Sequence, residues 1–424
     1  MKQYLEEARE LDRKDPLAIY KERFTPIEPG MIYLDGNSLG RLTKRTVSHV
    51  DHLIREEWGN RLIRSWNESW YQKATDLGDK IARIAGASPG EIIVADNTSI
   101  NLFKLAYGAL KYNSERTGIV SDSLNFPSDI YILQGLVHHL GGNYHLDLAR
   151  SDDGISVSMN DLNSVISEQT ALVSLSHVIF RSAFMYDMEQ VTEIAHDKGA
   201  LIVWDLSHSI GSVPIALNKL NIDMAVGCTY KYLNGGPGAP AFLYVRKDLQ
   251  ERLVSPVWGW FGQHMPFEFN LQYKPAEGIR RFLSGTPPIL SMAAVEPAVE
   301  MLLDAGMDNI RAKSIQQSTF LVRMAEHYLF PQGFSLGSPY DYRHRGSHVS
   351  LKHTEAYRIC QALIDPGVGD KCIIPDFREP DNIRLGITPL YTTFEDIFFA
   401  IKQMHLIMED KCYQKYNTDR SSIT

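Results

Sequence analysis

An aspartate closing an apolar run and a lysine inside a glycine-rich turn are the residues of this sequence best suited to chemistry. Asp205 ends the run Leu201-Ile202-Val203-Trp204, and Lys231 stands in Tyr230-Lys231-Tyr232-Leu233-Asn234-Gly235-Gly236-Pro237-Gly238. A lysine amine forms a Schiff base with an aldehyde, and a carboxylate holds a pyridinium nitrogen protonated so that the ring accepts electrons. The two together predict a pyridoxal 5'-phosphate (PLP) enzyme. Each alone says little, because an aspartate after a strand is most often a helix cap and most lysines are solvated surface charges. His208, in the turn that follows Asp205, adds a group able to hydrogen-bond a ring substituent or a phosphate. Tyr230 adds one able to donate to a phosphate or take part in proton transfer.

Other segments supply further candidates. Asp96-Asn97-Thr98-Ser99 follows the apolar run Ile92 to Ala95 and opens a helical pattern. Thr98 and Ser99 therefore offer hydroxyls and free backbone N–H groups where the helix dipole favours a phosphate, although helix capping explains the same hydroxyls equally well. In Phe126-Pro127-Ser128-Asp129 the aromatic face suits a cofactor ring or plain core packing, and Ser176, at the end of another apolar run, is a comparable case. Arg384 lies within the apolar segment Asn382-Ile383-Arg384-Leu385. A guanidinium there needs a partner, either a bidentate substrate carboxylate or a buried structural ion pair. The histidines show no metal-ligand spacing, and no metal is expected.

These groups need a scaffold that brings distant segments to one place. From about residue 45 to 290, short unbroken apolar runs (Ile92 to Val94, Thr117 to Val120, Ala171 to Leu175, Ala200 to Trp204, Asp223 to Val226, Ala241 to Val245) alternate with helical patterns. Such runs suit an α/β fold, a mostly parallel sheet flanked by helices, whose ligands gather beyond the carboxyl ends of the strands. Residues 1–44 read as a helix and a proline-punctuated arm that packs on the small domain or a partner subunit, 45–290 as the large domain, and 291–424 as a smaller C-terminal α+β domain with a frayed end. The net charge of −8 disfavours a nucleic-acid or anionic-membrane binder and leaves a small-molecule substrate. Four scattered cysteines and a polar start suit the cytoplasm, and no apolar stretch is long enough to span a membrane.

With these pieces in order, the chain resembles the kynureninases, in their bacterial form, over nearly its whole length; these are fold-type I PLP enzymes related to aspartate aminotransferase. The motifs that carry the resemblance are Tyr33-Leu34-Asp35-Gly36-Asn37-Ser38-Leu39-Gly40, Ser65-Trp66-Asn67, Phe126-Pro127-Ser128-Asp129, Asp205-Leu206-Ser207-His208, the Lys231 turn, Gly259-Trp260-Phe261-Gly262, Arg281 to Pro288, and Ile383-Arg384-Leu385-Gly386. The resemblance implies the PLP-dependent transferase fold of type I and hydrolytic cleavage of the Cβ–Cγ bond of L-kynurenine to anthranilate and L-alanine, in tryptophan catabolism. It implies a homodimer with active sites at the interface. Lys231 would bear the cofactor, Asp205 would hold its ring nitrogen and Phe126 would stack on its ring. Thr98, Ser99, Asp129, Ser176, His208 and Tyr230 would surround it, with Trp260 and Thr286 reaching the phosphate from the other subunit. Arg384 would hold the substrate α-carboxylate, with Asn37 and Trp66 in the substrate pocket.

The chain departs from the common family pattern at Gln263, where His is frequent, and at Ile179 and Phe180, where Asn and Tyr are. Gly285-Thr286 matches the bacterial form and implies a preference for kynurenine over 3-hydroxykynurenine. Three rivals remain at this level: a cysteine desulfurase-like lyase or aminotransferase, with Cys360 or Cys372 as the mobile thiol; a hydrolase for a substituted kynurenine; and a non-catalytic protein that keeps the scaffold.

Overall fold

A short strand, β1 (Met31–Tyr33), precedes a central sheet of seven strands in the computed structural model, which describes residues 1–419 of the 424; the segment expected to fray extends beyond them. The seven strands are β2 (Ile92–Val94), β3 (Gly118–Asp122), β4 (His145–Ala149), β5 (Thr170–Ser176), β6 (Leu201–Asp205), β7 (Met224–Gly227) and β8 (Phe242–Val245), arranged β2-β8-β7-β6-β5-β3-β4. Every pairing is parallel except those of β8, which runs antiparallel to both β2 and β7. Six of the strands overlap the apolar runs read from the sequence, because strands covered on both faces are buried at every position and mostly apolar. The exception is β4, whose His145 and Asp147 interrupt its apolar character and whose residues are largely exposed at the sheet edge.

Helices cover both faces, among them Thr98–Tyr112, Pro127–Leu140 and Met188–Asp197. In this arrangement the loops after β2, β3, β5, β6 and β7 emerge at one edge of the sheet. Ser176 and Asp205 are register partners at the ends of β5 and β6. The region from Arg45 to Ala85, helical by spacing, is divided. An α-helix Lys44–His52 passes into π-helical turns Leu53–Arg61 and Trp66–Trp70, with Leu62 at φ 58 between them, before the Lys73–Ala85 helix resumes. Glu57 ties the segment together, its carbonyl accepting from Ser65 Oγ at 2.7 Å and its carboxylate from Trp70 Nε1 at 2.6 Å.

The second body holds an antiparallel sheet, ordered β12-β13-β10-β9, made of β9 (Ser335–Leu336), β10 (Val349–Lys352), β12 (Asp376–Arg378) and β13 (Asn382–Leu385); β11 (Cys372–Ile374) pairs in parallel with β1. The described residues form two main hydrophobic cores. The first runs past residue 290 through the Ile289–Ala305 helix to Ile310, and the second gathers Phe320 to Ile407 with Ala8, Ile32 and Leu34 of the arm. The Lys2–Arg13 helix docks on the Phe394–Glu409 helix, where Asp12 accepts from the backbone N–H groups of Phe394 and Glu395 at 2.8 and 3.0 Å. No helix among the described residues is long and apolar enough to cross a membrane.

Candidate active site

A cavity of about 320 Å³ opens at the edge of the sheet where these loops meet. Its lining includes Thr98, Ser99, Phe126, Asp129, Asp205, His208, Tyr230 and Lys231, eight residues singled out in the sequence and carried there by the ends of four strands, β2, β3, β6 and β7. Asn97 caps the Thr98–Tyr112 helix by accepting from Ile100 N–H at 3.0 Å, and Ser99 Oγ meets Ser128 Oγ at 2.8 Å. The exposed start of a long helix thus faces the cavity with hydroxyls beside it, an anion site in the making. Phe126 precedes Pro127 at the start of the next helix, and its ring packs edge-on against Phe180 at 5.2 Å.

Asp205 is 8% exposed, and Ser207 supplies its hydrogen bonds: both N–H and Oγ donate to Oδ1, at 2.8 and 2.6 Å. Its other oxygen has a hydroxyl, that of Ser176, at 3.5 Å. Ser176 is in turn fixed by Asn125 Oδ1 at 2.7 Å. Burial raises the Asp205 carboxyl above its ordinary range, opposed by Ser207 and by the Lys231 charge. Asp129 is pushed up further, by burial and then by Asp205.

Lys231 Nζ lies 2.9 Å from His208 Nε2 and 5.9 Å from the centre of the Phe126 ring. Burial first, and then the Lys231 charge, hold His208 well below its usual range, so the imidazole is neutral. The Lys231 turn is braced by the Asp35–Gly40 loop, whose Gly40 N–H donates to Tyr230 O at 2.8 Å. A Cβ on Gly40 would collide with the Lys231 carbonyl, which is why that approach needs glycine.

Arg384 is 1% exposed on β13 and fully engaged. It pairs with Asp376, donates to Phe180 O at 2.6 Å and Ser38 Oγ at 2.7 Å, and its Nε lies 2.6 Å from the Asn37 side-chain oxygen once that amide is oriented to accept. The structural ion pair weighed for this arginine is therefore present, and Asn37 belongs to the same cluster. Trp66 packs between Trp70 and Phe261, each ring at 5.6 Å, at the margin of the first core. Trp260 and Thr286 are exposed and do not line the cavity of their own chain. Gln263 binds its own hairpin, accepting from Lys274 N at 2.6 Å and donating to Gln272 O at 3.2 Å.

Several participants escaped the sequence reading. Ser207, Asn125 and Ser128 position Asp205, Ser176 and Ser99, and Asp376 and Ser38 hold Arg384. Ser207 and Ser128 stood inside motifs already singled out, so proximity to them was the available signal; Asp376 carried none. Among the described residues no cluster of His, Cys, Asp and Glu is placed to hold a metal ion.

The donor set fits PLP: a lysine amine, a buried carboxylate with acceptor capacity left on Oδ2, an aromatic face beside the amine, and a helix start flanked by hydroxyls. The desulfurase chemistry finds no such support. Cys360 is buried in the second core, Cys372 Sγ lies 3.1 Å from Ile364 O on β11, and neither lines the cavity.

Comparison with known proteins gives a consistent picture. A family model for the kynureninase C-terminal domain matches residues 310–404. The kynureninase of Pseudomonas fluorescens is 41% identical over 408 residues, 95% of each chain. That of Burkholderia pseudomallei (strain 1106a) is 42% identical over 414 residues, 96% of each. Among solved structures, the apo cysteine desulfurase of Thermococcus onnurineus NA1 has a TM-score of 0.79 at 20% identity, covering 92% of this chain and 98% of its own. A C-DES mutant with glycine covalently linked to its PLP cofactor has a TM-score of 0.77 at 17% identity, covering 90% and 99%. At such identities the solved structures share the fold alone.

Proposed function

The chain belongs to the kynureninase family, and from that premise we propose roles for the side chains that surround the cavity. The enzyme is a PLP-dependent hydrolase that cleaves the Cβ–Cγ bond of L-kynurenine to anthranilate and L-alanine. When bound, PLP supplies an electron sink at the substrate Cα. Lys231 holds the cofactor through Nζ and afterwards moves the proton at Cα, a task for an amine that is anchored at one end and free at the other. His208 positions that amine: its neutral ring accepts from Nζ when the imidazole proton sits on Nδ1. Asp205 offers its open oxygen to a protonated ring nitrogen, with Ser207 and Ser176 keeping the carboxylate ionised and oriented. Phe126 covers a ring face, Thr98 and Ser99 receive the phosphate at the helix start, and Tyr230 and Asp129 complete the wall.

The observation that carries these roles is the Lys231 to His208 contact in a cavity walled by Asp205. Incubating the purified protein with PLP and L-kynurenine and quantifying anthranilate and alanine tests the activity. Equimolar products are expected, and no anthranilate despite bound cofactor would exclude it.

The same reading assigns the substrate α-carboxylate to Arg384 and a place in the substrate pocket to Asn37 and Trp66, and favours kynurenine over 3-hydroxykynurenine. A side-by-side rate comparison favouring the hydroxylated compound would remove that preference. A homodimer belongs to the proposal as well, with Trp260 and Thr286 serving the partner's phosphate site. Their exposure supports it, as does an open apolar groove of about 410 Å³ lined by Leu53, Trp58, Trp70, Pro287, Pro288 and Leu290, next to Thr286 in the chain. The division at residues 44 and 290 is retained as a functional one, between arm, cofactor-binding body and small body. Four free thiols suit a cytoplasmic setting.

A further inference from the structure

A cluster of buried charge surrounds Arg384. Asp376 Oδ2 pairs with Arg384 Nη2 and also with Arg378 Nε, the latter at 3.1 Å. Asp35 enters from the loop after β1: its backbone bridges to Gly386, next but one to Arg384 on the same extended segment, and Asn37 and Ser38 of that loop reach the guanidinium. Asp35 Oδ1 is buried with no hydrogen-bond partner among the described residues. The loop packs directly on the segment that carries Arg384, for a Cβ on Gly386 would collide with Asn37.

Two carboxylates thus face two guanidiniums, a neutral set. A substrate carboxylate on Arg384 adds a third anion where water screens little, and an unbalanced buried charge is strongly disfavoured. We propose that Asp35 takes up a proton from solvent when a substrate carboxylate seats on Arg384, so that the cluster stays neutral and Arg384 exchanges part of its contact with Asp376 for the substrate. The inference rests on the reading of Arg384 as the carboxylate anchor. Asp35 acts through Arg384, as a positioning residue.

The surroundings leave Asp35 as the group able to change charge near neutrality. Burial, and then the Asp376 charge, push Asp35 up to about 7, against the pull of Ser38, Arg384 and Arg378. The phenols that face it, Tyr33, Tyr232 and Tyr391, are all raised by burial and stay neutral, as does the buried Cys360 thiol. On that side Arg41 lies over the Tyr391 ring at 5.0 Å, and Lys21, Lys44 and Asp396 line the same groove as Arg41, Tyr33 and Tyr391. His208 and His348, on which the Arg384 charge also acts, are held neutral first by burial. Below the Asp35 value the empty site already holds the proton, and carboxylate binding is proton-neutral; above it, binding must recruit one. Affinity therefore falls as pH rises, by at most about tenfold per unit.

The test is titration calorimetry of the holoenzyme with 4-oxo-4-phenylbutanoate, an aryl keto acid without an amine, in buffers of different ionisation enthalpy. Wild type is expected to take up about 0.5–1 proton near pH 8 and almost none near pH 6, with affinity about five- to tenfold lower at the higher pH. Asp35→Asn, locked neutral, is expected to show no uptake and equal affinity at both. The infrared difference spectrum of wild type should gain a protonated-carboxyl band on binding. Wild type without uptake near pH 8, or the same uptake in Asp35→Asn, overturns the proposal while leaving Arg384 in place. Binding that is unchanged in Arg384→Ala removes the anchor reading itself and the proposal with it; the infrared measurement needs no variant and decides the matter if Asp35→Asn fails to fold.

Discussion

Lys231 has a short contact to His208 and a ring on either side, Phe126 and Tyr230, so its removal deletes a single chemical function with little loss of packing. Lys231→Ala is expected to bind PLP without the lysine-linked absorbance and to lose turnover by several orders of magnitude. Normal activity in that variant would take Lys231 out of the mechanism. Arg384 is a different case, because its guanidinium already serves Asp376, Phe180 and Ser38. Arg384→Ala should weaken substrate binding by about 2–3 kcal/mol, the worth of charge-assisted hydrogen bonds, seen mainly in KM. It should also lower the melting temperature, since buried Asp376 then loses one of its two cations and is left with Arg378 alone. Unchanged kinetic constants would show that the arginine is structural alone.

The helices that frame the site are held by local devices that can be removed one at a time. Glu296, on the Ile289–Ala305 helix, meets His49 at 3.3 Å and also Lys73 and Lys80 of the Lys73–Ala85 helix. His49 first, then Lys73 and Lys80, hold its carboxyl well below the usual range in spite of burial. A depressed folded value means that this stabilisation is complete above the unfolded value and is lost as pH falls. Wild type should therefore exceed Glu296→Gln by about 1–2 kcal/mol near neutrality, and thermal unfolding should show that margin shrinking below about pH 4.5. At the start of the Phe394–Glu409 helix, Thr393 and Asp396 form a reciprocal capping box. Thr393→Ala should cost about 1 kcal/mol in denaturant unfolding with kcat unchanged.

Across the whole molecule, two cores are joined by an arm that belongs to both, with Leu17, Tyr20 and Phe24 in one and Ala8, Ile32 and Leu34 in the other. The loop that follows it then reaches the Lys231 turn and Arg384 at once, so one segment braces both. The proposed dimer has a test at this scale. If Thr286 serves the partner's site, mixing Lys231→Ala with an inactive Thr286→Ala, followed by subunit exchange, should restore about a quarter of wild-type activity, because half the dimers then hold one intact site. No recovery from exchanged mixtures would place Thr286 in its own subunit's function.

The sequence by itself determined the sheet strands that are buried on both faces, the Asp205 and Lys231 pair, and, through its motifs, the family. Strands buried on both faces and residues that must do chemistry both restrict residue type, and that restriction is visible in one dimension. It did not reveal β4, whose exposed edge tolerates polar residues, nor the π-helical division at Leu53–Trp70, where hydrogen-bond register rather than composition changes. Only the tertiary structure decided what Arg384 touches. Asp376, Phe180 and the neighbouring pair Asn37 and Ser38 come from three separate segments, and which of them reaches a guanidinium depends on strand register and loop closure, which residue spacing along the chain does not encode.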